Sequence, residues 1–138
     1  MKIRCICFSL FVGIVAFSCN SRQDRQNVNN IKVEDGLECQ KSRFYFGDYS
    51  PQNKSIIPFS FEVRNVKDKA INISSVDVGC SCVHINSYPK SINPNSNAKI
   101  VGYIDLKNQR GHVSKPIFIT TSNKKTLLLR IVGNVTQK

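Results

Sequence analysis

Short runs in which apolar and polar residues alternate fill the chain from residue 43 onward. In residues 55–64, for example, the apolar side chains Ile57, Phe59, Phe61 and Val63 occupy every second position. This alternation predicts strands with one buried face, because successive side chains of a strand point to opposite faces. Seven such runs, separated by turn residues, are typical of an all-β sandwich or barrel.

The seven predicted strands are residues 43–49, 55–64, 70–78, 82–87, 98–106, 113–120 and 126–135. Two of them should be irregular. Pro58 has no N–H group, so its part of the second strand should lie at a sheet edge or a bulge. The apolar phase changes between Ile73 and Val76, which predicts a bulge or a change of sheet in the third strand.

The first 18 residues have the pattern of a secretory signal peptide. Lys2 and Arg4 precede an uncharged, mostly apolar run that ends at Ser18 and is too short to span a bilayer as a stable helix. The sequence Ala16-Phe17-Ser18-Cys19 resembles a bacterial lipobox, in which the cysteine is diacylated and becomes the new N-terminus. We therefore expect a lipid anchor at Cys19, in which each buried methylene contributes about 0.8 kcal/mol of membrane affinity.

Residues 19–42 are predicted to be a lipid-anchored, disordered tether. Residues 20–38 are polar, rich in Asn and Gln, and show no sustained apolar period. The predicted organisation is therefore a signal peptide (1–18), the tether (19–42) and a β-sandwich domain (43–138). Paired acidic residues do not follow Cys19, so a periplasm-facing position in the bacterial cell envelope is favoured over the cell surface.

The charge of the chain alone would suggest a nucleic-acid partner, because Lys and Arg outnumber Asp and Glu by 20 to 9. Nucleic acid is not the usual partner of an exported protein, and the sequence lacks the interleaved basic and aromatic residues of single-strand binders. We predict a solvated basic surface and no nucleic-acid partner. The expected partners are the membrane, through the lipid anchor, and another envelope protein.

Cysteine supplies the most concentrated chemistry of the chain. Six cysteines are present; Cys5 and Cys7 would leave with the signal peptide and Cys19 would be lipidated, so Cys39, Cys80 and Cys82 remain. An odd number outside the cytoplasm implies at least one free, metal-bound or intermolecular thiol. The expected arrangement is a disulfide from Cys39 to Cys80 or Cys82, with the remaining thiol buried.

Two alternatives use the stretch from Cys80 to His84. If it is extended, Cys80, Cys82 and His84 project to one face and offer soft ligands for copper or zinc. Alternatively, Cys80 and Cys82 form a redox couple, although an extended backbone separates their Cα atoms by roughly 6.5 to 7 Å, so closure requires a bend near Gly79. Since the sequence contains no recognisable catalytic or phosphate-binding motif, we predict neither enzymatic activity nor a cofactor.

Several motifs, taken in order, resemble one bacterial family. They are Phe46-Gly47, Phe59-x-Phe61-x-Val63-x-Asn65, Cys80-Ser81-Cys82, Ile92-x-Pro94, Gly111-x-Val113-x-Lys115-x-Ile117-x-Ile119 and Leu127-x-Leu129-x-Ile131-x-Gly133-x-Val135. This set resembles domain of unknown function family 1573, which consists of exported, often lipid-anchored bacterial domains. The resemblance implies that the seven predicted strands form an immunoglobulin-like β-sandwich. It favours a non-catalytic binding or structural module of the envelope, with the redox and metal-binding roles as alternatives.

Overall fold

The computed structural model describes residues 32–50 and 55–136. These residues form ten strands: β1 (Lys32–Glu34), β2 (Leu37–Cys39), β3 (Arg43–Tyr49), β4 (Ile56–Asn65), β5 (Ile71–Val78), β6 (Val83–Ser87), β7 (Ser91–Ile92), β8 (Asn97–Asp105), β9 (Gly111–Thr121) and β10 (Thr126–Val135). The all-β class is confirmed, but the predicted count of seven strands is wrong because β1, β2 and β7 were missed. Within the described ranges there is no helix long and apolar enough to cross a membrane. The predicted signal peptide and Cys19 lie outside those ranges.

Two five-stranded sheets pack face to face. The first has the strand order β1-β2-β4-β8-β6, and the second has the order β3-β10-β9-β5-β7. Every second residue along much of β4, β8 and β10 is buried, as alternation requires of strands with one face against a core. Phe61, Ile100, Ile117 and Leu129 are among the largest fully buried side chains between the sheets.

The first sheet begins inside the segment that was predicted to be a disordered tether. Leu37 and Cys39 are fully buried, and Asp35 and Gly36 connect β1 to β2 with φ angles of 51° and 79°. Positive φ at both central residues is what a tight type I′ hairpin requires, and Asp-Gly is one of its preferred pairs. The described fold therefore includes residues 32–42, which the sequence analysis assigned to the tether.

The chain changes sheets between β2 and β3. Strand β2 is antiparallel to β4 in the first sheet, whereas β3 runs parallel to β10 in the second. Only residues 40–42 separate the two strands, and the Arg130 N–H donates to the Ser42 carbonyl at 2.9 Å where the crossing ends. Because the chain leaves the first sheet directly after Cys39, β2 pairs with only two residues of β4, Arg64 and Asn65.

The two irregularities predicted from the sequence are present. The register between β5 and β9 shifts between Ile73 and Ser75, which confirms the predicted bulge. Pro58 pairs with Tyr103 of β8 on one side of β4, while β2 has already ended on the other side. Its position agrees with the prediction that this part of the strand lies at an edge.

Candidate functional site

Residues 79–82 form a bend and a turn between β5 and β6, so residues 80–82 are not extended, whereas Val83 and His84 are extended in β6. The Val83 N–H donates to the Cys80 carbonyl at 3.1 Å and closes a four-residue turn from Cys80 to Val83. The turn brings the Cα atoms of Cys80 and Cys82 to 5.2 Å, and their sulfur atoms are joined in a disulfide. The sequence predicts that Cys80 and Cys82 can pair only if the backbone bends near Gly79, and this bend is present.

Neighbouring strands hold this turn, which we call the disulfide turn, at both ends. The Gly79 N–H donates to the Pro116 carbonyl of β9 at 3.1 Å, and the Asp105 N–H donates to the Cys82 carbonyl at 2.8 Å. Inside the turn, the Cys82 N–H donates to Sγ of Cys80 at 3.2 Å. The backbone of the disulfide turn is therefore fixed by hydrogen bonds to both sheets as well as by the disulfide.

Cys39 is a free thiol, fully buried at the end of β2. Burial raises its pKa to about 11, so it stays protonated and is a poor nucleophile at neutral pH. The expected disulfide from Cys39 to Cys80 or Cys82 is not formed. Strand register explains this. Cys39 follows Glu38, which pairs with Arg64 near the end of β4, whereas Cys82 lies beside Asp105, which pairs with Ile56 at the beginning of β4. The two cysteines are therefore at opposite ends of β4.

His84 lies exposed on β6, and its ring stacks on that of Tyr103 with 4.6 Å between the centroids. Tyr103 is its cross-strand neighbour on β8. The predicted ligand set of Cys80, Cys82 and His84 is not gathered into a site here, since both sulfurs are engaged in the disulfide. Across residues 32–50 and 55–136, no group of three His, Cys, Asp or Glu residues could hold a metal ion.

A polar cleft of about 510 Å³ lies beside the sheet switch. Its lining comprises residues 60–64 of β4, residues Glu38, Gln40 and Lys41 at the end of β2, and Asn97 and Lys99 of β8. Phe61 and Val63 turn their side chains into the core, so the charged and polar side chains of the outer face dominate the cleft. Sequence analysis did not predict this cleft.

One edge of β4 is open next to the cleft. Strand β8 pairs with β4 over residues 56–64, whereas β2 pairs only with Arg64 and Asn65 on the opposite side. Among the described strands, none pairs with residues 56–63 on that opposite side. We call this stretch the open edge.

The backbone groups that face the open edge follow from the hydrogen bonds at the end of β4. The Val66 N–H donates to Gly36 on the β2 side, whereas the Asn65 N–H donates to Ser96 near the start of β8. Because neighbouring residues of a strand direct their N–H and C=O groups to opposite sides, the even-numbered residues face the open edge. Ser60 and Glu62 therefore present both backbone groups there.

Several solved structures share this fold. A protein of unknown function from Porphyromonas gingivalis W83 is similar with a TM-score of 0.60 and 13% identity, over 71% of this chain and 46% of that one, so the chain spans about half its length. The ASH/PapD-like domain 7 of human CEP192 gives a TM-score of 0.54 and 13% identity, over 75% of this chain and 87% of that domain. The secreted serine protease VesC from Vibrio cholerae also gives 0.54 and 13%, over 72% of this chain and 23% of the protease. At these identities the likeness shows the immunoglobulin-like, PapD-like fold alone.

The sequence itself points to one family. No curated protein sequence is significantly similar to the chain. The profile of the family described as "Protein of unknown function (DUF1573)" matches residues 37–135, from the first residue of β2 to the last residue of β10. The matched range includes both the disulfide turn and the open edge. The chain therefore belongs to the DUF1573 family, as the resemblance of its ordered motifs predicted.

Proposed function

We propose that this protein is a non-catalytic binding module that takes an extended segment of another cell-envelope protein onto the open edge. The observation that carries the proposal is that no described strand pairs with the backbone groups of Ser60 and Glu62 that face the open edge, beside the polar cleft. An exposed strand edge binds a further strand through main-chain hydrogen bonds, and adjacent side-chain sites supply specificity.

The ends of the open edge limit the length of the bound segment. Gln40 and Lys41, which follow β2 where the chain leaves the first sheet, lie at one end. Toward the other end, Pro58 offers a carbonyl but no N–H. The room between them suits about three paired residues at the usual rise of a strand. Glu62, Lys41 and Lys99 line the cleft, and this mixture favours a polar segment that carries both signs of charge.

Photo-crosslinking from the cleft tests this proposal. With a photo-crosslinking amino acid in place of Gln40, we expect irradiated cells to yield one discrete adduct with a second envelope protein. The same amino acid in place of Lys107, which is exposed and does not line the cleft, should not yield it. Mass spectrometry of the adduct identifies the crosslinked segment of the partner.

A proline at the open edge supplies the matched comparison. Ser60→Pro removes an N–H that faces the open edge and leaves the ladder with β8 intact, so we expect at least tenfold less adduct from position 40. Ser60→Ala keeps the N–H and should give the wild-type yield. An adduct that survives Ser60→Pro, an adduct made of two copies of this chain, or no adduct at all would contradict the proposal.

We further propose that a lipid on Cys19 holds the module at a bacterial membrane, facing the periplasm. The support is the sequence Ala16-Phe17-Ser18-Cys19 after an apolar run. Cys19→Ala should move the chain from the membrane fraction to the soluble fraction, because each buried acyl methylene contributes about 0.8 kcal/mol to anchoring. Fractionation and the mass of the N-terminal peptide measure this, with Ser21→Ala as the control that stays bound. A wild-type chain without added acyl mass would refute the anchor.

A further inference from the structure

We propose that Cys80 and Cys82 form a thiol–disulfide exchange couple, oxidised in this structure, whose partner is a dithiol. The disulfide turn leads into β6 on one side of β8, whereas the open edge is the side of β4 that faces away from β8. The couple is therefore separate from the binding role proposed for the open edge, and each can fail without the other.

The Cys80–Cys82 bond joins no two elements of the fold. Its cysteines are two residues apart within one turn. The free energy by which a disulfide stabilises a fold grows with the logarithm of the number of residues in the loop that it closes. The loop closed by Cys80 and Cys82 is very short, so its contribution is small. The hydrogen bonds from Gly79 to Pro116 and from Asp105 to Cys82 hold the same backbone without the disulfide. Opening the bond should therefore leave both sheets in place.

The disulfide turn is also open to an attacking thiolate. Ser81, between the cysteines, is exposed, and both Cys80 and Cys82 are only half-buried. Cys39, by contrast, is fully buried, and its pKa is raised to about 11. Exchange should be confined to the pair, because the third thiol is neither accessible nor ionised.

The backbone distinguishes the two sulfur atoms. The Cys82 N–H lies 3.2 Å from Sγ of Cys80 and donates to it. A hydrogen-bond donor favours negative charge on the atom that it contacts, and the sulfur that better carries that charge leaves faster in exchange. Cys80 should therefore be the leaving sulfur and Cys82 the attacked one.

With Cys80 as the leaving sulfur, the partner dithiol reduces the disulfide in two steps. A thiolate of the partner attacks Sγ of Cys82, the Sγ–Sγ bond breaks, and its electron pair remains on Cys80 as a thiolate. The second thiol of the partner, once deprotonated, attacks the partner's own sulfur in the mixed disulfide and releases Cys82. The partner loses two electrons and two protons and ends as a disulfide, while Cys80 and Cys82 gain them and end as two thiols.

A redox titration of the full chain tests the couple. In glutathione buffers of graded ratio, followed by alkylation and mass measurement, we expect two thiols to appear together at positions 80 and 82, with an unchanged circular dichroism spectrum. Cys39→Ala should give the same titration curve. Reduction only after denaturant is added, or loss of the β-sheet spectrum upon reduction, would overturn the proposal.

Single-cysteine variants test the two roles. In Cys82→Ser the N–H at position 82 remains beside Cys80, whereas Cys80→Ser leaves Cys82 without this hydrogen bond. We expect iodoacetamide at pH 7 to alkylate Cys80 in the first variant at least threefold faster than Cys82 in the second. Equal or reversed rates would overturn the assignment of leaving and attacked sulfurs.

Discussion

Replacing Asn65 by Ala is expected to lower the free energy of unfolding by at least about 3 kcal/mol. Asn65 is completely buried, and its Nδ2 donates to the carbonyls of Lys69, Ile92 and Asn93 at 2.8, 3.0 and 3.1 Å. Its Oδ1 accepts the Lys67 N–H at 2.9 Å. Alanine removes these bonds together and leaves backbone groups unpaired, at a cost of about 1–3 kcal/mol for each one that water cannot reach. Urea denaturation measures the change.

Two further variants isolate the donor role of the Asn65 amide. Asn97→Ala removes an exposed amide with one bond to Glu62, at 2.8 Å, and should cost less than about 0.5 kcal/mol. Asn65→Asp places a carboxyl against the carbonyls that the amide now serves. Burial should raise the pKa of that carboxyl above its value in the unfolded chain, so the folded state binds more protons. The stability of this variant should then fall as the pH rises above about 4. If Asn65→Ala lowered the free energy of unfolding by less than about 1 kcal/mol, the surrounding turns would be stable without the Asn65 side chain.

Sequence patterning predicted the long strands better than the short ones. Residues 43–49 and 126–135 coincide with β3 and β10, since alternation over seven or more residues is a strong local signal. Strand β7 has only two residues, too few to show any period. The β1–β2 hairpin did have a signal in Asp35-Gly36, but the polar residues around it resembled a tether.

The candidate sites were harder to predict because each depends on a local departure from regular structure. Treating residues 80–82 as extended separates the Cα atoms of Cys80 and Cys82 by roughly 6.5 to 7 Å, whereas the disulfide turn brings them to 5.2 Å. The position of Cys39 depends on the register between β2 and β4, which a sequence alone does not specify. The open edge arises where the chain leaves one sheet for the other, and only Pro58 gave a hint of it.

Replacing Gly102 by Ala is expected to lower the free energy of unfolding by at least about 3 kcal/mol, because it overpacks a site lined by backbone. Gly102 is buried on β8 between Phe59 of β4 and Ile85 of β6. A Cβ atom here would overlap the backbone carbonyl oxygen of His84 and would lie 2.7 Å from Cζ of Phe59. Relief requires β6 to move away from β8, and β6 is the strand that follows the disulfide turn. Urea denaturation and amide hydrogen exchange in β6 should both report the loss.

Gly133→Ala is the matched control, since Gly133 also lies on a strand against a close neighbour. The three atoms nearest to a Cβ at Gly133 all belong to the ring of Phe46, a half-buried side chain on β3, the edge strand of the second sheet. A side chain can rotate where a paired backbone cannot, so this variant should cost only about 1–2 kcal/mol and leave exchange in β6 unchanged. If the two variants proved equally destabilised, the cost would come from the loss of glycine in a strand and not from the backbone of β6.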